Sequence, residues 1–334
     1  MTINRLPLFR LPFLALCEIL SFYGPREIIP LSLCSKRSFR VAKKCWKKKE
    51  KITAELCAKK ISTVTLHFHK AAFSYRFVIL GTHGLQDQQS VGDAVFPGSY
   101  RTTETITFWK DKIFGIGHIV NYIKELFDVP ITKIELDSEE HPNEFIDTMD
   151  CIMSRQESVR DCTLRGEGPI DKCLTHLLDR CKITGELRVY GDLTDQFKNN
   201  WNIHLDSIYI SNALCLTFQN LTNIDCQSLD VYSSSLTSKD LNQFLKHWQN
   251  GGSPRIRFAS IMIKNSMNHD IVKSGIKGVP QPDTVHKSFL FMRSSTLTRI
   301  GGLDIQRNDG TTGTVYMFEN KLDLGVDPIA VYNY

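Results

Sequence analysis

The sequence predicts an α/β protein with a small, all-helical, apolar head and a long body of strand–helix units. Three observations carry that expectation. Apolar triplets with strand spacing recur along the body. Stripes of helical period fill the segments between them. The chain begins with a short apolar stretch punctuated by proline and glycine. The 334 residues suffice for one large domain plus a small one. We place the division near residue 50, giving a head of residues 1–50 and a body of residues 51–334.

The triplets define the body. Each has an apolar residue, a second three positions on and a third two further, as in Ile131, Ile134 and Leu136. Val159, Cys162 and Leu164 fit, as do Leu205, Ile208 and Ile210, then Cys226, Leu229 and Val231, then Phe258, Ile261 and Ile263. Thr184, Leu187 and Val189 fit with a polar first member, and Ile61, Val64 and Leu66, then Thr103, Ile106 and Phe108, then Ile300, Leu303 and Ile305 are outlying copies. The last two members lie two apart and so share one face of a strand. Middle positions 134, 162, 187, 208 and 229 are separated by 28, 25, 21 and 21 residues. That spacing predicts a degenerate leucine-rich-repeat-like solenoid with a curved, mostly parallel sheet.

The intervening segments read as helices. Ile170, Cys173, Leu174, Leu177, Leu178 and Cys181 form one stripe, and Phe145, Ile146, Met149, Ile152 and Met153 another. Thr237-Ser238-Lys239-Asp240 has the form of a capping box, and Leu241, Phe244, Leu245 and Trp248 line the helix that follows. Gly251-Gly252 and Pro254 end it before the strand at 258–263. Near the C-terminal end, Asn308-Asp309-Gly310 predicts a turn between two strands.

In the head, Pro12 suits a first helical turn, and Leu16, Ile19 and Leu20 form a stripe that Gly24-Pro25 stops. Ile28, Ile29, Leu31 and Leu33 belong to a second element, and Lys36 to Trp46 to a basic third one. So small a unit has little interior, and its apolar surface needs a partner. Leu11-Pro12, Ile19-Leu20, Pro25, Ile28 and Leu31-x-Leu33-x-Ser35-Lys36-Arg37 resemble the F-box, although Phe13 stands where an acidic residue is usual. Residues 236–255, from Leu236 through Trp248 to Gly251-Gly252-Ser253-Pro254-Arg255, resemble the type 2 F-box-associated domain of nematode F-box families, as does Asp304–Thr311. That resemblance spans about 185–318.

The resemblance implies a substrate-recognition subunit of an SCF-type cullin-RING ubiquitin ligase. The head would hold a Skp-type adaptor, and Leu11, Pro12, Ile19, Leu20, Ile28 and Leu33 are the adaptor-contact candidates. Some of these must fill the head's own core. The body would bind an unknown target protein. Outward strand positions Arg165, Arg188, Tyr190, Tyr209 and Tyr232 are the candidates for that contact, since a solenoid's open sheet is its usual binding surface. The alternative is a binding scaffold outside any ligase.

Chemistry of the chain's own is not expected, and we read it as no enzyme. There is no P-loop, Gly-x-Ser-x-Gly or His-Glu-x-x-His. Gly115-x-Gly117 lacks the third glycine of a dinucleotide fingerprint and reads as a turn into a helix. The ten cysteines form no Cys-x-x-Cys, which predicts reduced thiols and no metal site. No cofactor is implied. A net charge of +5 is too small to imply nucleic acid, and Lys43–Lys51, with Lys47, Lys48 and Lys49, reads as a solvated helix face. Arg10, Glu18 and prolines interrupt what could be mistaken for a leader, and no apolar run is long enough for a membrane span. A cytoplasmic or nuclear location is the expectation.

Overall fold

The computed structural model describes residues 8–46, 51–81, 100–101, 103–137, 142–194, 197, 201–292 and 295–333. They form two compact units, one of Met1–Glu135 with Asn143–Glu157 and one of Leu136–Pro142 with Ser158–Tyr334. The head is thus one part of a larger first unit. Lys47, Lys48 and Lys49 lie outside the described residues.

The first unit opens with helices α1 (Phe13–Ser21), α2 (Pro25–Leu33) and α3 (Lys36–Cys45). Strands β1 (Ile52–Ala58), β2 (Ser62–Phe68), β3 (Phe73–Gly81), β4 (Tyr100–Arg101) and β5 (Glu104–Trp109) follow, then α4 (Lys112–Phe127), β6 (Ile131–Asp137) and α5 (Pro142–Met153). Strand order is β6-β1-β2-β3-β5-β4. β1, β2 and β3 form an antiparallel meander. Their connections are three and four residues long, which only antiparallel neighbours allow. Along β1 and β2 buried and half-buried residues alternate, so one face of the meander is covered. Helix α4 lies on β2, β3 and β5, and α3 lies on α4.

Gly115 and Gly117 are inside α4, whose N-cap is Asp111, and do not form the expected turn. Their role is close approach. A Cβ on Gly115 would stand 2.6 Å from the Trp109 ring, and one on Gly117 would stand 2.7 Å from Arg155. Tyr122 of α4 ties the head down. It shares a 2.5 Å hydrogen bond with Ser32 of α2 and packs on Phe39 of α3 and Phe77 of β3. Trp46 packs edge-on against Phe127, and Arg26 sits 4.5 Å over the Phe73 ring.

The second unit contains β7 (Val159–Pro169), α6 (Asp171–Arg180), β8 (Ile183–Asp192), β9 (Ile203–His204), β10 (Ser207–Ile210), α7 (Phe218–Asn223), β11 (Ile224–Asp225), β12 (Ser228–Ser234), α8 (Ser238–Gln249) and β13 (Phe258–Ile263). It continues with α9 (His269–Lys273), β14 (Gly278–Phe291), β15 (Ser295–Gln306), β16 (Thr312–Met317), β17 (Lys321–Val326) and β18 (Ala330–Asn333). Strand order is β18-β14-β15-β16-β17-β13-β12-β10-β8-β7, with β9 and β11 a separate parallel pair.

The expected mostly parallel sheet is corrected here. β7, β8, β10, β12 and β13 run parallel. From β13 through β17, β16, β15, β14 and β18 every pairing is antiparallel. The overall class is mixed α/β. Within the parallel run, Cys162, Leu187, Ile208 and Leu229 fall side by side, as do Leu164, Val189, Ile210 and Val231. The triplet at 258–263 is out of step: Leu229 pairs with Ala259, and Ile261 pairs with Val231. The outlying residues Val64, Leu66, Leu303 and Ile305 sit on antiparallel pairings, with Ile61 and Ile300 exposed.

The helical stripes do form core. Cys173, Leu174 and Leu177 are buried in α6, and Phe145, Met149 and Ile152 in α5. In α8, Thr237 and Asp240 close the capping box, with Leu241, Phe244, Leu245 and Trp248 buried. Gly251 has φ +94°, the left-handed conformation a helix stop requires. The turn at 308–310 joins β15 to β16, with Gly310 at φ +88° and Arg307 donating to Asp309.

Cys17 and Cys45 form a disulfide with a Cα–Cα distance of 4.9 Å, linking α1 to α3. The expectation of reduced thiols fails at these two positions, because the packing of α1 on α3 brings them together; Cys34, Cys151, Cys162, Cys173, Cys181 and Cys226 stay as thiols.

Candidate functional site

Two surfaces stand out, one on each unit. The first is on α1. Leu16 and Leu20 turn inward with Cys45, against Leu8, Phe9, Tyr23, Leu31 and Val41. Leu14, Glu18 and Phe22 follow one another at every fourth position, on the opposite side. Leu14 and Phe22 are each 83% exposed and Phe13 is 50% exposed. An apolar side chain left in water forgoes roughly 1.5–3 kcal/mol of burial. The ridge is therefore a place for a partner.

The structure sorts the adaptor-contact candidates. Leu20, Ile28 and Leu33 are buried and fill the unit's interior. Leu11 and Ile19 are half-buried, and Pro12 is exposed beside the ridge. Phe13, Leu14 and Phe22 were missed. Their signal was that α1 is apolar on nearly all sides, more than one inward stripe requires.

The second surface is the sheet face carrying Arg165, Arg188, Tyr190, Tyr209 and Tyr232. The structure brings these candidates together. Alternation along β7, β8, β10 and β12 turns all five to one side, while Leu164, Leu187, Val189, Ile208, Ile210 and Val231 point to the other and are buried. Tyr190 and Tyr209 rings lie 4.8 Å apart and Tyr209 and Tyr232 rings 5.6 Å apart. The Arg165 guanidinium caps the run, 4.2 Å over Tyr190. Arg188 donates to Glu186 at 3.0 Å. Burial raises the phenol pKa of both Tyr209 and Tyr232; Tyr190 and Asp230 add to it at Tyr209, and Asp230 and Asp323 at Tyr232.

The same face continues across Asp230, Ser260, Asp323 and Tyr316, which are successive cross-strand partners. Asp230 is 3% exposed, and burial pushes its pKa up to about 7; Asp323 adds to this while Lys321 and the Ser260 hydrogen bond oppose it. One Asp230 carboxylate oxygen has no partner. Asp323 is fully buried and accepts from Arg299 at 2.6 Å, with Lys321 at 3.6 Å. Arg299 and Lys321 also stand 5.3 and 5.5 Å over the exposed Phe318 ring. These groups hold charge and aromatic surface in place. Among the described residues, no cluster of three or more His, Cys, Asp or Glu is arranged to hold a metal ion. No helix there is long and apolar enough to cross a membrane.

The architecture is that of a mixed α/β protein, and its residues 196–261 match the family model described as F-box associated. The match runs through β10, α7, β12, α8 and into β13, and includes Tyr209 and Tyr232. It is narrower than the 185–318 expected and does not reach the head. The chain is 23% identical over 332 residues to the uncharacterized protein F59B2.8 of Caenorhabditis elegans, covering 92% of this chain and 73% of that one. It is 29% identical over 84 residues to the E3 ubiquitin-protein ligase hecw-1 of the same nematode, covering 25% of this chain and 6% of that one. No solved structure matches.

Proposed function

We propose that the protein is a substrate receptor of an SCF-type cullin-RING ubiquitin ligase. The α1 ridge meets a Skp-type adaptor, and the tyrosine face meets a target protein. The observation that carries this reading is the pairing of an F-box-associated match at 196–261 with an exposed apolar helix ridge in the head. The partial likeness to a ubiquitin-protein ligase supports it. The mechanism is proximity. Holding a target's lysine beside a loaded conjugating enzyme raises its effective concentration, and the receptor contributes no catalytic residue. Such a protein works in the cytoplasm or nucleus.

The test is adaptor capture by the full chain. Leu14→Asp with Phe22→Asp places two charges on the ridge without touching Leu16 or Leu20, so folding is retained and capture is lost. Capture by the folded double variant at the wild-type level rejects the assignment. A scaffold outside any ligase is the second reading. It predicts that neither adaptor nor cullin co-purifies with the unaltered chain.

A further inference from the structure

We infer that residues 295–300 of β15 are a docking edge for one extended segment of another protein, which adds to them as an antiparallel strand. The edge acts whether or not α1 meets an adaptor. β15 runs beside β16 from Leu303 to Gln306. Just before that, Gly301 and Gly302, at φ +64° and +99°, split the two strands, and the pairing with β14 shifts register between Gln281–Gly302 and His286–Ile300. Residues 295–300 pair with β14, and among the described residues no strand lies on their other side. The pairing tells which backbone groups face outward. Ser288, opposite Thr298, turns its carbonyl to the β18 side, where it accepts from Ile329. The Ser288 and Thr298 hydroxyls lie 2.8 Å apart, as in the closer, non-hydrogen-bonded kind of pair. The N–H and C=O of Thr298 therefore point away from β14, and alternation turns those of Thr296 and Ile300 the same way. The Thr298 carbonyl takes one long contact, 3.3 Å from the Arg299 guanidinium.

The edge is anchored and unprotected. Leu297 packs on the cluster of Phe258, Phe289 and Tyr316, and Arg299 donates to Asp323 at 2.7 Å. The one charge in this stretch is thus turned inward. Thr296, Thr298 and Ile300 are exposed, β-branched and uncharged. Edges that stay single carry a charge, a proline or a bulge that prevents pairing. On the far side of the same hairpin the chain supplies its own cover, β18. The cleft at the split decides the occupant. Ile300, Tyr316, Met317 and Phe318 line it, and its volume is 370 Å³. A second copy would bring a folded layer against the wall that β16 makes, whereas a lone strand brings only side chains. In an antiparallel addition, every second residue turns its amide to β15, and the residues between them drop their side chains toward Met317 and Phe318. The segment is therefore extended, with apolar residues at alternate positions. Because β15 is already ordered, the entropy cost of pairing falls on the incoming segment.

The probe is a short labelled peptide of alternating threonine and valine with lysine at both ends, read by fluorescence anisotropy against the full chain. In the pairing described, its threonine amides face β15 and its valine side chains face the cleft. N-methylation of the threonine amides should weaken binding at least about thirtyfold, and N-methylation of the valine amides less than about threefold. Residue-resolved hydrogen exchange should find the amides of Thr296, Thr298 and Ile300 fast in the free protein and slowed by the peptide, with Leu297 and Arg299 slow throughout. Thr298→Pro removes an outward donor without breaking a bond to β14, and should weaken binding at least about tenfold while adaptor capture is unchanged. If that variant fails to fold, the methylated peptides and the exchange rates decide. Absent binding, or equal loss from the two methylations, overturns the inference. So do outward amides already slow without peptide: in a monomer another part of this chain covers the edge, and in a dimer a second copy does.

Discussion

Reducing the Cys17–Cys45 bond should loosen α1 far more than any other element. The bond closes a loop with a sequence separation of 28 residues. In the chain-entropy account, a cross-link of that span removes about 12 cal/mol/K from the unfolded ensemble, or about 3.5 kcal/mol at 25 °C. Little else holds α1, whose buried side chains are Leu16 and Leu20. The opening equilibrium of α1 should therefore rise a few hundredfold on reduction. Hydrogen exchange read by mass spectrometry on the full chain, with and without a phosphine reductant, measures this directly. Amides of α1 should exchange faster by that factor, while those of α8, anchored by Leu241, Phe244, Leu245 and Trp248, should be unchanged. Cys17→Ser should behave as the reduced protein does in either condition. Equal α1 exchange in both conditions would refute the argument. So would alkylation of Cys17 and Cys45 in protein never exposed to reductant.

Two further outcomes follow from buried groups. The Asp230 pKa is raised to about 7, above the unfolded carboxylate value, so the native state holds a proton that the unfolded state has lost. Its contribution to stability thus falls as pH rises from about 4 to about 7, by up to about 4 kcal/mol. Asp230→Asn removes the ionisation and keeps an acceptor for the Ser260 hydroxyl; urea midpoints should match wild type near pH 4 and exceed it at pH 8, and the reverse order refutes the shift. Trp248→Ala empties a fully buried site beside Gly313 and should cost about 3–5 kcal/mol in urea unfolding, with a loss under about 1 kcal/mol showing that α8 is not a core helix.

The elements of the body were legible because their signals are local. The α8 stripe, its Thr237–Asp240 box and the Asn308–Gly310 turn each act within a few residues. Tyr190, Tyr209 and Tyr232 were legible as one surface because strand alternation fixes which side each takes once its neighbours are buried. Pairing was a different matter. The residues at 258–263 show the same apolar spacing as Leu229 and Val231, yet their register differs by two, which preserves the face and hides the shift. β14–β18 carry apolar residues much like the parallel strands, and their antiparallel order follows from hairpins and from partners distant in sequence.

What the sequence determined by itself was facing: which side of each strand or helix seeks the interior. What the tertiary structure decided was company. Cys17 meets Cys45 because α1 lies on α3. Leu20, Ile28 and Leu33 are consumed inside their unit, while Leu14 and Phe22 are left in water. Periodicity records a demand for burial, and only the assembled packing shows which demands are met within the chain and which remain for another molecule.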